Sequence, residues 1–352
     1  MAKQLRVGLI GLGGVGAIHL RTYLAEQRIE LVAVVEPRSE RFEELNIPAE
    51  ILRFTDHREM LAVGAVDVAC IATPVATHRA ISVDCARAGV HVLCEKPLEV
   101  SSIAAQEMLS ECERNAVKLG YASSYRYLPA VLAARELIQS GRLGEIHSIS
   151  ERAVGGAVRG GAEAMGFAHY PKGGPGGSGL GLVDHGIHFI DIFPWLLDSP
   201  ICTVAGRGNV SGEPPASEWL TMEFASGAIG SLLYSESVYS ATGPDSGLVA
   251  QGEGWDIDSG LVCAGEWSAA PGHIDICGTL GALKIYHYAN RLYLNDAQGC
   301  RELTLQGAAP PAQFSKQMLA FLNALEQGQE PPVSGEKGLS ALNWLLQIYD
   351  AR

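Results

Sequence analysis

The sequence predicts an α/β chain in two parts: an N-terminal doubly wound parallel sheet, then an α+β domain built on an open, mostly antiparallel sheet. Three observations carry this. Through the first third, apolar runs of strand length alternate with segments of helical periodicity. A glycine-rich turn, Gly11-Leu12-Gly13-Gly14-Val15-Gly16, stands where the first apolar run hands over to the first helix. From residue 146 onward the texture changes to runs of strands joined by Gly, Pro and Asn turns. At 352 residues the chain exceeds what one core usually encloses, and the change of texture divides it into 1–122 and 123–352.

The first run, 5–10, reads as a buried strand, and 15–25 follows the glycine turn with helical periodicity. In such a Rossmann unit Gly11 allows the tight turn, Gly13 lets the main chain approach a pyrophosphate, and Gly16 lets helix and strand pack closely. Gly14 and Val15 lie at the helix N-terminus, where the anion is held. A second strand, 29–35, ends in Glu36, twenty residues after Gly16, where an acid accepts ribose hydroxyls. Glu36 repels a 2′-phosphate and so favours NAD, while Arg38, with Ser39 and Arg41 close by, leaves NADP open. The rival reading is a glycine turn in an ordinary βαβ unit that binds nothing; the full series of strand, turn, helix and acid weighs against it.

Further along, 66–72 and 90–94 read as strands and 76–88 and 101–115 as helices, with the parallel sheet ending near residue 122. A helix at 128–140 precedes the second texture, which starts at 146–153. Strand patterns follow at 202–210, 219–224, 228–235, 274–277, 282–286 and 291–294. Helical segments occupy 183–197, 313–327 and 338–349. Eleven glycines between 155 and 181 exclude a stable helix or strand there, so that segment reads either as a substrate lid or as a surface connection. The stretch 242–270, holding Trp255 and Trp267, reads as an irregular insertion packed on the sheet, a neighbouring subunit or a ligand.

With 47% apolar and 18% charged residues the composition is that of a soluble globular protein. A net charge of -13 argues against nucleic acid, which needs clustered Lys and Arg. The eight cysteines are scattered without a CxxC pair, the pattern of reduced thiols in a cytoplasmic protein. No apolar run approaches the roughly 18 residues of a membrane span, so no membrane partner is expected.

Ligands of an open α/β sheet bind beyond the carboxyl ends of its strands, and Thr73-Pro74 and Glu95-Lys96-Pro97 follow the strands at 66–72 and 90–94. Lys96, poorly hydrated there, can polarise a carbonyl or exchange a proton with a hydroxyl; alternatively it merely pairs with Glu95. The proline behind it stiffens the turn, by a cis bond if one forms. In Asp184-His185-Gly186-Ile187-His188-Phe189-Ile190-Asp191, spacings of four and seven put Asp184, His188 and Asp191 on one helical face. His188 can move a proton near neutral pH and Asp184 can orient it or hold a substrate hydroxyl. Asp184 also reads as a helix N-cap with His188 a core residue. A metal site lacks a second His/Cys cluster, and none is expected.

Seven segments run in order: GLGGVGAIH at 11–19, ATPVATH at 72–78, CEKPLEVS at 94–101, YRYLPAVLAARELIQSGRLGEI at 125–146, DHGIHFIDIFPWLL at 184–197, GTLGAL at 278–283 and the closing VSGEKGLSALNWLLQIYDA. The chain thereby resembles the glucose-fructose oxidoreductase, inositol dehydrogenase and rhizopine-catabolism (Gfo/Idh/MocA) family from end to end. The resemblance implies hydride transfer between a nicotinamide and a carbinol carbon of a sugar or cyclitol, and a homo-oligomer, dimer or tetramer, formed through the C-terminal sheet. It matches Lys96 to the family's EKP lysine, and Asp184 and His188 to its aspartate and histidine, His188 being the acid/base. It places Thr73, Pro74, His78 and Glu95 against the cofactor, and Tyr125 and Arg126 among cofactor and substrate contacts. The run Gly177-Ser178-Gly179-Leu180-Gly181-Leu182-Val183 departs from the glycine and alanine run of many relatives, so sugar specificity transfers least. Two further readings share the scaffold: a redox-neutral, NAD-dependent glycosidase-like enzyme, and a cofactor-sensing protein without turnover.

Overall fold

The structure, a computed structural model, describes residues 4–156, 182–208, 217–238, 273–287 and 289–350. Most of the glycine-rich segment and all of the 242–270 insertion lie outside the described residues. The chain divides into two compact units, Met1–Ser124 with Pro311–Leu342, and Tyr125–Pro310 with Asn343–Arg352.

The first unit holds β1 (Arg6–Ile10), α1 (Gly14–Ala25), β2 (Glu30–Val35), α2 (Glu40–Glu44), β3 (Leu52–Phe54), α3 (His57–Ala62), β4 (Val68–Ile71), α4 (His78–Arg87), β5 (His91–Glu95), α5 (Ser102–Arg114) and β6 (Leu119–Ala122). Its six strands form one parallel sheet in the order β3-β2-β1-β4-β5-β6. The strand order reverses between β1 and β4, the switch point where such sheets bind ligands. β4 and β6 are buried at every position, and β4 accordingly reads as an apolar run. The helices open on identifiable signals: the Ser101 hydroxyl caps α5 by accepting the Ala104 N–H, and Asp56 caps α3 through Arg58. The predicted helix at 76–88 starts instead with a 3₁₀ turn, Val75–Thr77, behind Pro74. Helix α8 (Gln313–Glu326) adds Met318, Leu319, Phe321 and Leu322 to the core formed by Leu9, Leu12, Leu20 and Tyr23. A Cβ on Gly120 would meet the Phe321 ring at 2.9 Å, so β6 needs glycine for this helix to seat.

In the second unit, α6 (Pro129–Gln139) leads into β7 (Ile146–Gly156). A π turn (Leu182–Gly186) then passes directly into α7 (Ile187–Leu197). β8 (Ile201–Arg207), β9 (Ser217–Phe224), β10 (Ile229–Val238), β11 (His273–Gly278), β12 (Gly281–Tyr286), β13 (Arg291–Asp296) and β14 (Gly299–Glu302) complete an eight-stranded sheet. Its order is β14-β13-β12-β11-β7-β10-β9-β8, antiparallel except where β10 runs parallel to β7. Burial alternates strictly along β9, so the sheet has an inward and an outward face. Helix α9 (Gly335–Asp350) contains the division between the units, at Leu342 and Asn343. Among the described residues no helix is long and apolar enough to cross a membrane.

Candidate active site

The glycine turn has the shape a dinucleotide requires. Gly11 adopts φ +96°, and a Cβ there would meet the Ala72 carbonyl oxygen at 2.6 Å, because β1 and β4 are neighbours at the switch point. A Cβ on Gly16 would sit 2.1 Å from the Gly11 carbonyl oxygen, so α1 can press against the turn only as glycine. Gly13 and Gly14 face open space, Val15 is exposed, and α1 begins without a side-chain cap or an acid in its first turn. Free N–H groups at an uncapped N-terminus fit a pyrophosphate. Glu36, at the end of β2, accepts the Leu12 N–H at 2.9 Å and the Arg38 Nε at 2.9 Å. Burial works against its charge, yet Arg38 and the Leu12 N–H hold its carboxyl below the usual carboxylate range. Arg41 donates to the Leu12 carbonyl oxygen and to Glu44.

Beyond β4 and β5, two turns are tied together by His78. Its Nε2 lies 2.9 Å from the Thr73 carbonyl oxygen, and its Nδ1 lies 3.0 Å from that of Pro97 and 3.3 Å from that of Leu98. The ring is buried, which lowers its pKa. His78 therefore braces the turn that bears Lys96, whose peptide bond to Pro97 is cis. Pro74 is exposed, Thr73 is half-buried and accepts a hydrogen bond from the Thr77 hydroxyl at 2.7 Å.

Glu95 is buried, and both its oxygens are engaged: Oε1 lies 2.8 Å from His19 Nε2, and Oε2 accepts the main-chain N–H of Lys96 at 3.1 Å. His19, on α1, also meets the Tyr23 hydroxyl at 2.8 Å, which donates to Cys70 Sγ at 3.3 Å. Burial alone would lower the His19 pKa, but Cys70 and Glu95 together push it up to about 10. His19 was absent from the sequence-based site. The signal was there, since Gly16, His19 and Tyr23 share one face of α1 with the glycine turn.

The second set of residues lies in the other unit. Asp184 is in the π turn and half-buried, so the α-helical spacing that aligned it with His188 and Asp191 does not run through it. His188, in the first turn of α7, is 7% exposed and lies face to face with Tyr125, ring centroids 3.9 Å apart and planes 8° from parallel. Arg126 forms a buried bidentate pair with Asp191, at 2.8 Å and 2.6 Å, and its guanidinium stands 5.1 Å from the Trp195 ring centre. One turn, Ser124–Tyr127, thus supplies both the ring over His188 and the cation that anchors α7 one helical turn later.

Sequence reasoning missed the polar groups behind this helix. His185 Nε2 lies 3.0 Å from Glu151 Oε1 on β7, and His287 Nε2 lies 3.8 Å from the same oxygen. Burial raises the Glu151 carboxyl, but His185 and His287 bring it below its ordinary value. Glu218, on β9, accepts the Leu182 N–H and the Tyr349 hydroxyl, each at 2.7 Å. Among the described residues no group of three or more His, Cys, Asp or Glu is placed to hold a metal ion.

Comparison with known proteins agrees with this arrangement. Residues 5–123 match the oxidoreductase family with an NAD-binding Rossmann fold, and residues 131–254 match the GFO/IDH/MocA C-terminal domain. Inositol 2-dehydrogenase 2 of Paenarthrobacter aurescens (strain TC1) is 28% identical over 264 residues, which cover 68% of this chain and 71% of that protein. The rhizopine catabolism protein MocA of Rhizobium meliloti is 32% identical over 42% of this chain, a match spanning about half of that protein, 46%. The structure of an oxidoreductase from Agrobacterium radiobacter in complex with NAD+, L-tartaric acid and magnesium superposes with a TM-score of 0.77. It is 21% identical and covers 99% of this chain and 96% of its own. Switch-point turn, open sheet and both matched domains lead to one conclusion: this chain belongs to the GFO/IDH/MocA oxidoreductase family, NAD(P)-dependent dehydrogenases whose N-terminal unit is an NAD-binding Rossmann fold.

Proposed function

We propose that the protein is an NAD-dependent dehydrogenase that oxidises a carbinol carbon of a cyclitol or sugar, with Lys96 and His188 acting on the reacting oxygen. One observation supports the reading: the turns after β1, β4 and β5 follow one another along one edge of the sheet, with Lys96 one strand beyond the turn that abuts Gly11. Gly11, Gly13, Gly14, Val15 and Gly16 hold the pyrophosphate, Glu36 the adenosine ribose, and Thr73, Pro74 and Glu95 border the nicotinamide half. When bound, the cofactor supplies the hydride acceptor. Lys96 holds the hydroxyl oxygen and stabilises its negative charge as the proton leaves. His188 receives that proton, with Asp184 orienting it and Tyr125 fixing its plane. Arg126 acts through Asp191 to set α7. His78 acts by bracing the turn of Lys96.

Cyclitols head the substrate class because inositol 2-dehydrogenase 2 is among the similar proteins. NAD is favoured over NADP because Glu36 engages Arg38, while Arg41 is engaged by Leu12 and Glu44. A homo-oligomer through the open sheet is supported by Trp219 and Leu233. These face each other across β9 and β10 on the outward side, 44% and 39% exposed.

A panel of inositols, free sugars, sugar phosphates and nucleotide sugars, each with NAD+ and with NADP+ at several pH values, tests the reading. NADH accumulates with the accepted substrate, and Lys96→Ala and His188→Ala each lower kcat by about 10²–10⁴-fold. Unchanged turnover in both variants would refute the assignment. Substrate consumption without NADH points to the redox-neutral enzyme, and tight NADH binding without any reaction to the sensor.

A further inference from the structure

We propose that Glu151 and Glu218 are positioning residues: two buried carboxylates that fix the π turn Leu182–Gly186 from behind and thereby set the attitude of Asp184 and His188. The inference rests on the reading of His188 as the proton acceptor. It goes beyond that reading by assigning a function to residues outside the reacting set.

A π turn is rare and is frequently found at functional sites. Here two of its five residues, the first and the fourth, are held by carboxylates on the sheet. At the first residue, the Leu182 N–H donates to Glu218 Oε2 at 2.7 Å, and Glu218 Oε1 accepts the Tyr349 hydroxyl at 2.7 Å from the last turns of α9. At the fourth residue, His185 Nε2 stands 3.0 Å from Glu151 Oε1. Asp184 lies between these two anchored residues.

Glu218 is 0% exposed and Glu151 3% exposed. The other inward residues of β9 are Leu220, Met222 and Phe224, so packing alone would have been met by an apolar side chain. Burying a carboxylate is unfavourable unless its hydrogen bonds are met, and what these bonds secure is geometry. Tyr349 is a dependable donor, since burial and then Glu218 raise its pKa well above the ordinary value.

The Glu151 end also reaches His188 through touching rings. His185 packs on Phe189 with centroids 4.9 Å apart, Phe189 meets Tyr125 edge-on at 5.9 Å, and Tyr125 covers His188 at 3.9 Å. His287 stands 5.3 Å from Phe189 and 5.4 Å from Tyr125, closing the cluster.

The test uses the full chain labelled with ¹⁵N-histidine, the ring signals of His185 and His188 being assigned with His185→Asn and His188→Asn. Glu151→Gln and Tyr349→Phe are each expected to displace the His188 ring signals while the protein stays folded. With myo-inositol and NAD+ as probe, kcat falls about tenfold or more and KM for NAD+ stays within about twofold. His188 signals that coincide with wild type in both variants overturn the proposal. Should Glu151→Gln fail to fold, Tyr349→Phe, which removes only a hydroxyl, decides alone. Undiminished turnover in His188→Asn would sink the acid/base reading instead, and the ring signals would still decide the positioning.

Discussion

Tyr125 covers His188 face to face, 3.9 Å between ring centroids and 8° from parallel, so the imidazole of α7 can rotate only by breaking a stack. Such a pair is worth about 0.5–1.5 kcal/mol beyond its burial. Tyr125→Ala is expected to lower kcat about tenfold by freeing the ring, whereas Tyr125→Phe keeps most of the activity. Steady-state NADH formation with the best substrate of the panel checks both.

His19, held between Cys70 and Glu95, gives stability a pH signature. In the fold the imidazole keeps its proton up to about 10, against about 6.5 for a solvated histidine. Its contribution is therefore whole below about pH 6.5, shrinks as pH rises, and is gone above about pH 10. The Tm gap between wild type and His19→Gln should be widest near about pH 6 and close toward about pH 10. A gap independent of pH would contradict a protonated His19 held by Cys70 and Glu95.

Arg126 and Asp191 predict an asymmetry. Arg126→Met leaves the Asp191 carboxylate buried without its cation and is expected to cost about 3–5 kcal/mol. The double variant Arg126→Met/Asp191→Leu, which removes both charges, recovers most of that loss. Urea denaturation of the three proteins measures it.

Cofactor choice is expected to follow Glu36. Glu36→Gln removes a charged acceptor of ribose hydroxyls and releases Arg38 from its ion pair, 2.9 Å in the wild type. The ratio of kcat/KM for NAD+ over NADP+ should fall about 10- to 100-fold. An unchanged ratio would show that Glu36 does not meet the ribose.

How much of this was legible in the sequence depended on how local the cause was. β4 stood out because a strand buried on both faces is a nearly unbroken apolar run, whereas β6, Leu-Gly-Tyr-Ala, gave only the place where the sheet ends. The glycine turn was readable because its demands are largely local: Gly11 adopts a positive φ, and Gly16 packs on the Gly11 carbonyl five residues back. β3 and β14 are too short to establish a period, at three and four residues. The π turn was hidden because helical periodicity over 183–197 looks the same whether the first turn is α or π. Glu151, Glu218 and Tyr349 were illegible for a different reason: their partners are 34, 36 and 131 residues away, and only the sheet brings them together.

On β9, Glu218 and Trp219 are consecutive and point to opposite faces. One side chain grips the start of the π turn and the other lies bare to the solvent beside Leu233. The strand that holds the carboxylate in the core therefore also presents the indole at the surface. Neighbours in sequence, the two side chains face opposite surroundings, one dry and one wet, across a single peptide bond.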